Sequence, residues 1–243
     1  MQVSNRNQKI YYGGHGRIRM ECDIKVVESL KEGRGIKVLL VDGKEESATF
    51  LGEDKYELVY PYSIEIFSIL SKFDSSSVLL LGGGGFSIPK YFISHYPIGK
   101  IDVVEIDPFI YELAKKEFFL SDLIEQYHLR GNQSRMRIFI QDAVEYLKQS
   151  DCQYKIIIND AYHGGEMSSE LLSEESIRQI SRHLGKQGIY IMNFFSALQG
   201  MKRKAWDEQE CILKKYFNKL YIKQLDFQIP QTHRQNCIVF AQK

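Results

Sequence analysis

Residues Val78 to Phe92 read VLLLGGGGFSIPKYF: an apolar run, four consecutive glycines, then a second apolar pattern. Such a run entering a glycine cluster marks a buried strand that turns sharply into a helix. Glycine lets the backbone approach a ligand closely, and the helix that follows points its first N–H groups outward at that ligand. A tight turn with no ligand produces the same pattern, so residues farther along the chain have to decide between the two.

Beyond this turn, strand and helix patterns alternate. Candidate strands are Val78–Leu81, Ile101–Ile106, Arg137–Ile140, Tyr154–Asn159, Gly188–Phe194, Lys219–Phe227 and Asn236–Gln242. Alternation predicts a parallel sheet covered on both faces, with the β-branched run of Ile156–Asn159 at its centre. The short loop before Asn236 makes the last two strands an antiparallel pair. The expected fold is therefore α/β, a Rossmann-like, seven-stranded methyltransferase-type sheet. Ahead of it, Ile24–Tyr60 carries short β-type runs broken by KEGRG and by Asp42-Gly43, a hairpin signal, and a helix is expected over Ser63–Lys72. Residues 1–60 are read as a small antiparallel β-domain and 61–243 as the Rossmann-like domain.

Glu105 stands 23 residues beyond Gly82, at the end of the next strand. In an open parallel sheet the carboxyl ends of neighbouring strands share a crevice, where an acid can accept both hydroxyl hydrogens of a ribose. Asp107, followed by Pro108, reads as a helix N-cap. Asp142 ends the third strand; it too suits a cap, and its carboxylate can also accept from an exocyclic amine. An adenosyl ligand accounts for the glycines, Glu105 and Asp142 together. At the fourth strand end, Asp160 precedes Ala161, Tyr162 and His163. Asp160 can face a cationic sulfonium or amine through Coulomb attraction. His163 reads equally as a general base or as an exposed turn residue, and Tyr162 as a wall.

Taken together, VLLLGGGG, VVEID, FIQDAVEYL and IIINDAY resemble the spermidine synthase family of polyamine aminopropyltransferases, and RGIKVLLVDGKEES resembles that family's N-terminal hairpin. The resemblance implies that Gly82, Gly83 and Gly84 meet the methionine-derived part of the cofactor, with Gly85 completing the loop. It puts Glu105 and Ile106 at the ribose, Asp142 with Ala143 at the adenine, and Asp160 beside the reacting centre. A homodimer is implied as well.

The departures from the family pattern carry information. The family's glycine loop holds an aspartate where this chain has Gly85, followed by Phe86 and Ser87 in place of glycines. The second acceptor aspartate is His163, and the hairpin glutamine is Glu46, a candidate substrate contact. An aspartate at position 85 would attract the ammonium of decarboxylated S-adenosylmethionine and repel the α-carboxylate of the intact cofactor. Its absence favours intact S-adenosylmethionine and methyl transfer to a small molecule. The alternatives are aminopropyl transfer from the decarboxylated form, with Glu46, Asp160 and Glu166 replacing the absent acids, and a catalytically silent adenosyl-binding module.

Bulk composition narrows the remaining classes. Thirty-two basic and 31 acidic residues leave a net charge of +1, so no global field draws the chain to nucleic acid or an anionic membrane. Cys22, Cys152, Cys211 and Cys237 lack metal-ligand spacing, so no metal is expected and a reducing, cytoplasmic setting fits. No apolar run approaches a membrane span, nor does the start of the chain read as a signal peptide. The basic segment 199–215 reads as a solvated helix face.

Overall fold

The computed structural model describes residues 8–12, 23–131 and 133–243; Cys22 lies outside them. An antiparallel sheet opens the chain, with β1 (Gln8–Tyr12), β2 (Asp23–Lys31), β3 (Arg34–Val41) and β4 (Lys44–Phe50) in sequential order. Both of its described turns use two successive left-handed residues, Glu32-Gly33 (φ 52° and 77°) and Asp42-Gly43 (φ 50° and 74°). Such turns match the twist of the strands they join. One face of this sheet, Ile24, Val26, Leu39 and Val41, packs on Ile110, Leu113 and Phe118. The other buries Val27, Ile36, Val38, Ala48 and Phe50 with Val59.

The connecting helix α1 (Pro61–Leu70) begins two residues earlier than expected because Pro61 occupies its first turn, where proline's fixed φ suits a helix and its missing N–H costs nothing. Then follow β5 (Ser77–Leu81), α2 (Ser87–His95), β6 (Lys100–Glu105), α3 (Pro108–Glu117), α4 (Leu120–Gln126), β7 (Met136–Ile140), α5 (Ala143–Gln149) and β8 (Tyr154–Asn159). A two-residue hairpin, β9 (Tyr162–His163) with β10 (Glu166–Met167), leads into α6 (Ser169–Leu172), α7 (Glu174–His183), β11 (Leu184–Ser196), α8 (Lys204–Leu213), β12 (Lys219–Gln224) and β13 (Gln235–Gln242).

Seven strands form one sheet in the order β12-β13-β11-β8-β5-β6-β7. All pairs are parallel except the two made by β13. The seven strands, the central place of β8 and the antiparallel pairing of the last two strands all agree with the sequence reading. Two strand ends differ by three residues or more. β12 stops at Gln224 rather than Phe227, because the Gln224 amide turns to donate to the carbonyls of Asp226 and Ile229, both at 2.7 Å, and closes a loop. β11 starts at Leu184, four residues earlier than expected, through a register shift before Ile189.

The central strands are dry on both faces: Leu79, Leu80 and Leu81 in β5, and Ile156, Ile157 and Ile158 in β8, are buried. Burial of this kind contributes on the order of 2 kcal/mol per large side chain. Lys90 of α2 is buried as well. Its Nζ donates to Thr49 Oγ1 of β4 at 2.8 Å and to the Phe118 carbonyl at 2.7 Å. Burial pushes this amine down to about 7, and a neutral amine has two hydrogens for these two acceptors. Lys90 thereby fastens the N-terminal sheet to the helix that leaves the glycine turn. On α8 and its approach, Arg203, Lys204 and Lys214 pair with Asp207, Glu208 and Glu210, so the basic segment is largely neutralised by its own acids. No helix among the described residues is long and apolar enough to cross a membrane.

Candidate active site

The carboxyl ends of β5, β6, β7 and β8 meet in register. Leu81 lies opposite Val104 and Asn159, and Glu105 opposite Ile140. The next residues, Gly82, Ile106, Gln141 and Asp160, therefore line the rim of one crevice.

Gly82 is fixed by close approach. A Cβ there would lie 2.5 Å from the Asp160 carbonyl oxygen, and its φ is +95°. Only glycine lets the turns after β5 and β8 run this close. The glycine turn is closed from below by Phe86, whose ring is fully buried against the Gly83 backbone and against Tyr111. Phe86 adopts φ 56°, ψ 30°, a left-handed conformation that favours glycine.

Glu105 turns back onto the loop. Its Oε2 accepts from the N–H groups of Gly83 at 2.8 Å and Gly84 at 2.9 Å, and Oε1 accepts from Asp107 N–H at 2.9 Å. Burial raises its pKa, and the three N–H bonds oppose that shift. Asp107 caps α3 through a 2.8 Å bond from Phe109 N–H. Asp142 caps α5, accepting from Val144 and Glu145 N–H on the single oxygen Oδ1. Beside these acids, Ile106 is 57% exposed and Ile140 39% exposed, an apolar pair at the ends of adjacent strands.

The other half of the crevice is assembled from distant parts of the chain. Asp160 Oδ2 accepts from Tyr62 Oη of α1 at 3.1 Å, and Oδ1 accepts from Asn193 Nδ2 of β11 at 3.0 Å. Burial outweighs both bonds and lifts the Asp160 carboxyl to about 6. Tyr162 turns inward and donates to the Asn193 carbonyl at 3.1 Å. Glu46 reaches in from β4 and accepts from Gly165 N–H at 3.4 Å, with Gly164 N–H beside it. Burial first, then repulsion from Glu105 and Asp160, lifts Glu46 to about 7 despite those backbone bonds. Glu46 therefore senses the charges of both Glu105 and Asp160.

Three sequence expectations change here. His163 is exposed, on the strand position next to inward-facing Tyr162, so of the two candidate bases only Asp160 lies inside the crevice. Glu166, expected to help replace the absent acids, is also exposed. Gly85 does not open a charge-free space for a cofactor carboxylate. A Cβ at that position would meet Ser47 Oγ at 2.6 Å and Phe118 at 3.1 Å, so β4 fills the direction an aspartate would take. Tyr62 and Asn193 were not singled out from sequence. Asn193, a lone amide within the apolar run IYIMNFF, was the available signal; Tyr62 offered none beyond its place after a proline. Among the described residues no cluster of three or more His, Cys, Asp and Glu could hold a metal ion.

Comparison with known proteins supplies the family. A polyamine aminopropyltransferase of Prochlorococcus marinus is 32% identical over 171 residues, covering 69% of this chain and 55% of that protein. The chain spans about half the length of the curated relatives it matches. Among solved structures, a probable spermidine synthase from Corynebacterium glutamicum shares the fold with a TM-score of 0.74 at 18% identity, over 96% of this chain and 79% of that one. A spermidine synthase in complex with the transition-state analogue AdoDATO gives 0.65 at 17% identity, over 100% of this chain and 82% of that one. The methyl-transfer expectation gains nothing from the curated relatives, which are polyamine aminopropyltransferases. Residues 57–241, well over half of the chain, match the spermine/spermidine synthase domain, and the protein belongs to that family.

Proposed function

We propose that this protein transfers an aminopropyl group from decarboxylated S-adenosylmethionine to a small cationic amine. The observation that carries this reading is the convergence of Glu46, Glu105 and Asp160 on one crevice, with Glu46 and Asp160 free of any ion pair among the described residues. Buried carboxylates without a counter-charge favour a cationic ligand and oppose one bearing an α-carboxylate. Gly85, the ground for preferring the intact cofactor, loses its force because Ser47 fills the space in front of it. The activity of the curated relatives points the same way.

In this reading the backbone of Gly82–Gly85 borders the sulfonium end of the donor. Glu105 retains acceptor capacity on Oε1 for a ribose hydroxyl, having one bond there against two on Oε2. Ile106 and Ile140 flank the adenine, and Asp142 Oδ2 with the Ala143 backbone meets its polar edge. Asp160, held by Tyr62 and Asn193, takes a proton from the acceptor ammonium. The freed lone pair attacks the aminopropyl methylene carbon bonded to the sulfonium. A C–N bond forms as the C–S bond breaks, and sulfur leaves with the bonding pair as methylthioadenosine.

The test is incubation with decarboxylated S-adenosylmethionine and putrescine. Methylthioadenosine and an elongated amine in equal amounts are expected. Methylated product from the intact cofactor, or tight donor binding with no turnover across a panel of amines, would overturn the assignment.

A further inference from the structure

Strand β4 and the β9–β10 hairpin meet at Glu46. Along a regular strand, neighbouring side chains point to opposite faces. Ser47 is buried toward the glycine turn, within hydrogen-bonding distance of Ser87 Oγ at 3.1 Å. Glu46 is the extra residue of a β-bulge, set between the pairs Leu39–Ser47 and Leu40–Glu45, where alternation is broken and a side chain can be re-aimed, and its carboxylate meets the Gly164-Gly165 tip of the β9–β10 hairpin. That tip directly follows His163, which is exposed. A carboxylate is thus delivered from the N-terminal sheet to the tip of a hairpin whose own acid, Glu166, is exposed.

A second observation comes from Asn193. Its Nδ2 is used on Asp160, while its Oδ1 is buried and lacks a hydrogen-bond donor, on a residue only 4% exposed. Buried acceptors are nearly always satisfied, and leaving one bare costs roughly 1–3 kcal/mol. An N–H donor bound beside Asp160 would satisfy it. Arg234, whose charge acts on Tyr162, lies 4.0 Å from Glu166 and over the Phe195 ring, and no described cation forms an ion pair with Asp160 or Glu46.

We propose that Glu46 is the residue that sets acceptor specificity: it holds the distal ammonium of a diamine whose reacting nitrogen lies between Asp160 and Asn193 Oδ1. This rests on the aminopropyl-transfer reading for the identity of the reaction, and on the crevice geometry for the role of Glu46. The acceptor then bridges the N-terminal sheet and the seven-stranded sheet, and a monoamine uses only half of the site.

Steady-state kinetics on Glu46→Gln, with putrescine and with butylamine as acceptors, tests this. The expected result is an increase of about 10- to 100-fold in KM for putrescine, with kcat within a few-fold of wild type and the butylamine KM unchanged. Glu46→Asp, which keeps the charge but shortens its reach, should fall between the two. Equal changes for both amines, or no change for either, would overturn the role of Glu46. If wild type yields no methylthioadenosine at all, the reaction assignment fails, and calorimetry of putrescine binding still decides on Glu46. Loss of binding in Glu46→Gln relative to wild type upholds it, and equal binding overturns it; thermal melts of both variants confirm that each is folded.

Discussion

The two halves of the crevice are built on different principles. On one side, the glycine turn, Glu105 and Asp142 satisfy themselves locally: Glu105 bonds to Gly83, Gly84 and Asp107, and Asp142 to Val144 and Glu145 of its own helix. On the other side, Tyr62 meets Asp160 across 98 residues, Asn193 meets it across 33, and Glu46 meets Gly165 across 119. The first half is pre-organised backbone and capping. The second half holds two carboxylates lifted toward neutrality and an amide oxygen without a donor. A site divided in this way can keep one ligand subsite while the other is rebuilt from remote positions.

The largest expected effect falls on the second half. Asp160→Asn removes the proposed base and should lower kcat by about 10²- to 10⁴-fold. The same change should stabilise the fold. The folded-state pKa of Asp160, about 6, exceeds its ordinary 3.8, so the fold favours the protonated form. That stabilisation is complete below the ordinary value and is lost as pH rises through about 6. Asparagine cannot lose it. The variant should therefore gain about 2 kcal/mol over wild type at pH 8 and roughly nothing at pH 4 in denaturant titrations. Lower stability at pH 8 would contradict a desolvated carboxylate at this position.

On the pre-organised side, effects on stability should come first. Gly82→Ala puts a methyl group 2.5 Å from a backbone oxygen at φ +95°, and neither backbone can yield cheaply, so a loss of about 3–5 kcal/mol is expected. Gly84→Ala is the control. It has φ +50° but no atom closer than Ser47 Cβ at 3.8 Å, so it should cost only about 1 kcal/mol in denaturant titrations. Equal losses at both positions would show that backbone conformation, and not close approach, decides the turn.

A smaller and more pointed test concerns Gly85. Gly85→Asp should destabilise by about 1–3 kcal/mol because its side chain starts against Ser47 and Phe118. Adding Ser47→Gly should recover part of that, leaving a coupling energy on the order of 1 kcal/mol in a double-mutant cycle. Strict additivity would mean that Ser47 is not what excludes a side chain at position 85.

This contrast also explains what the sequence could reveal. The alternation of strands and helices, the antiparallel pairing of the last two strands, the glycine turn, and the caps at Asp107 and Asp142 are all local patterns, and each is present in the structure. The acceptor half was legible only in part. Asp160 stands at a strand end, where parallel sheets collect ligands. The inward course of Glu46, the outward turn of His163 and the Tyr62 bond depend on how β4, α1 and the β9–β10 hairpin meet, which no short window encodes. Gly85 is the sharpest case. Read as a missing charge, it favoured a different cofactor; with Ser47 in front of it, it is a packing requirement.

The mildest change separates the halves most finely. Tyr62→Phe removes one hydrogen bond to Asp160 and leaves the ring, stacked 6.0 Å from Tyr60, in place. That bond favours the charged carboxylate and lowers its pKa, against the larger effect of burial. Its loss should raise the Asp160 pKa above about 6. The acid limb of the pH–kcat/KM profile then moves to higher pH, and activity near neutrality drops several-fold while that at pH 9 changes little. The donor affinity should stay as it is, because Glu105 and the glycine turn do not touch Tyr62. A fall in activity that is uniform across pH would assign Tyr62 to acceptor positioning and not to the ionisation of Asp160. A change in donor affinity would mean that the two halves are coupled through more than the ligand they share.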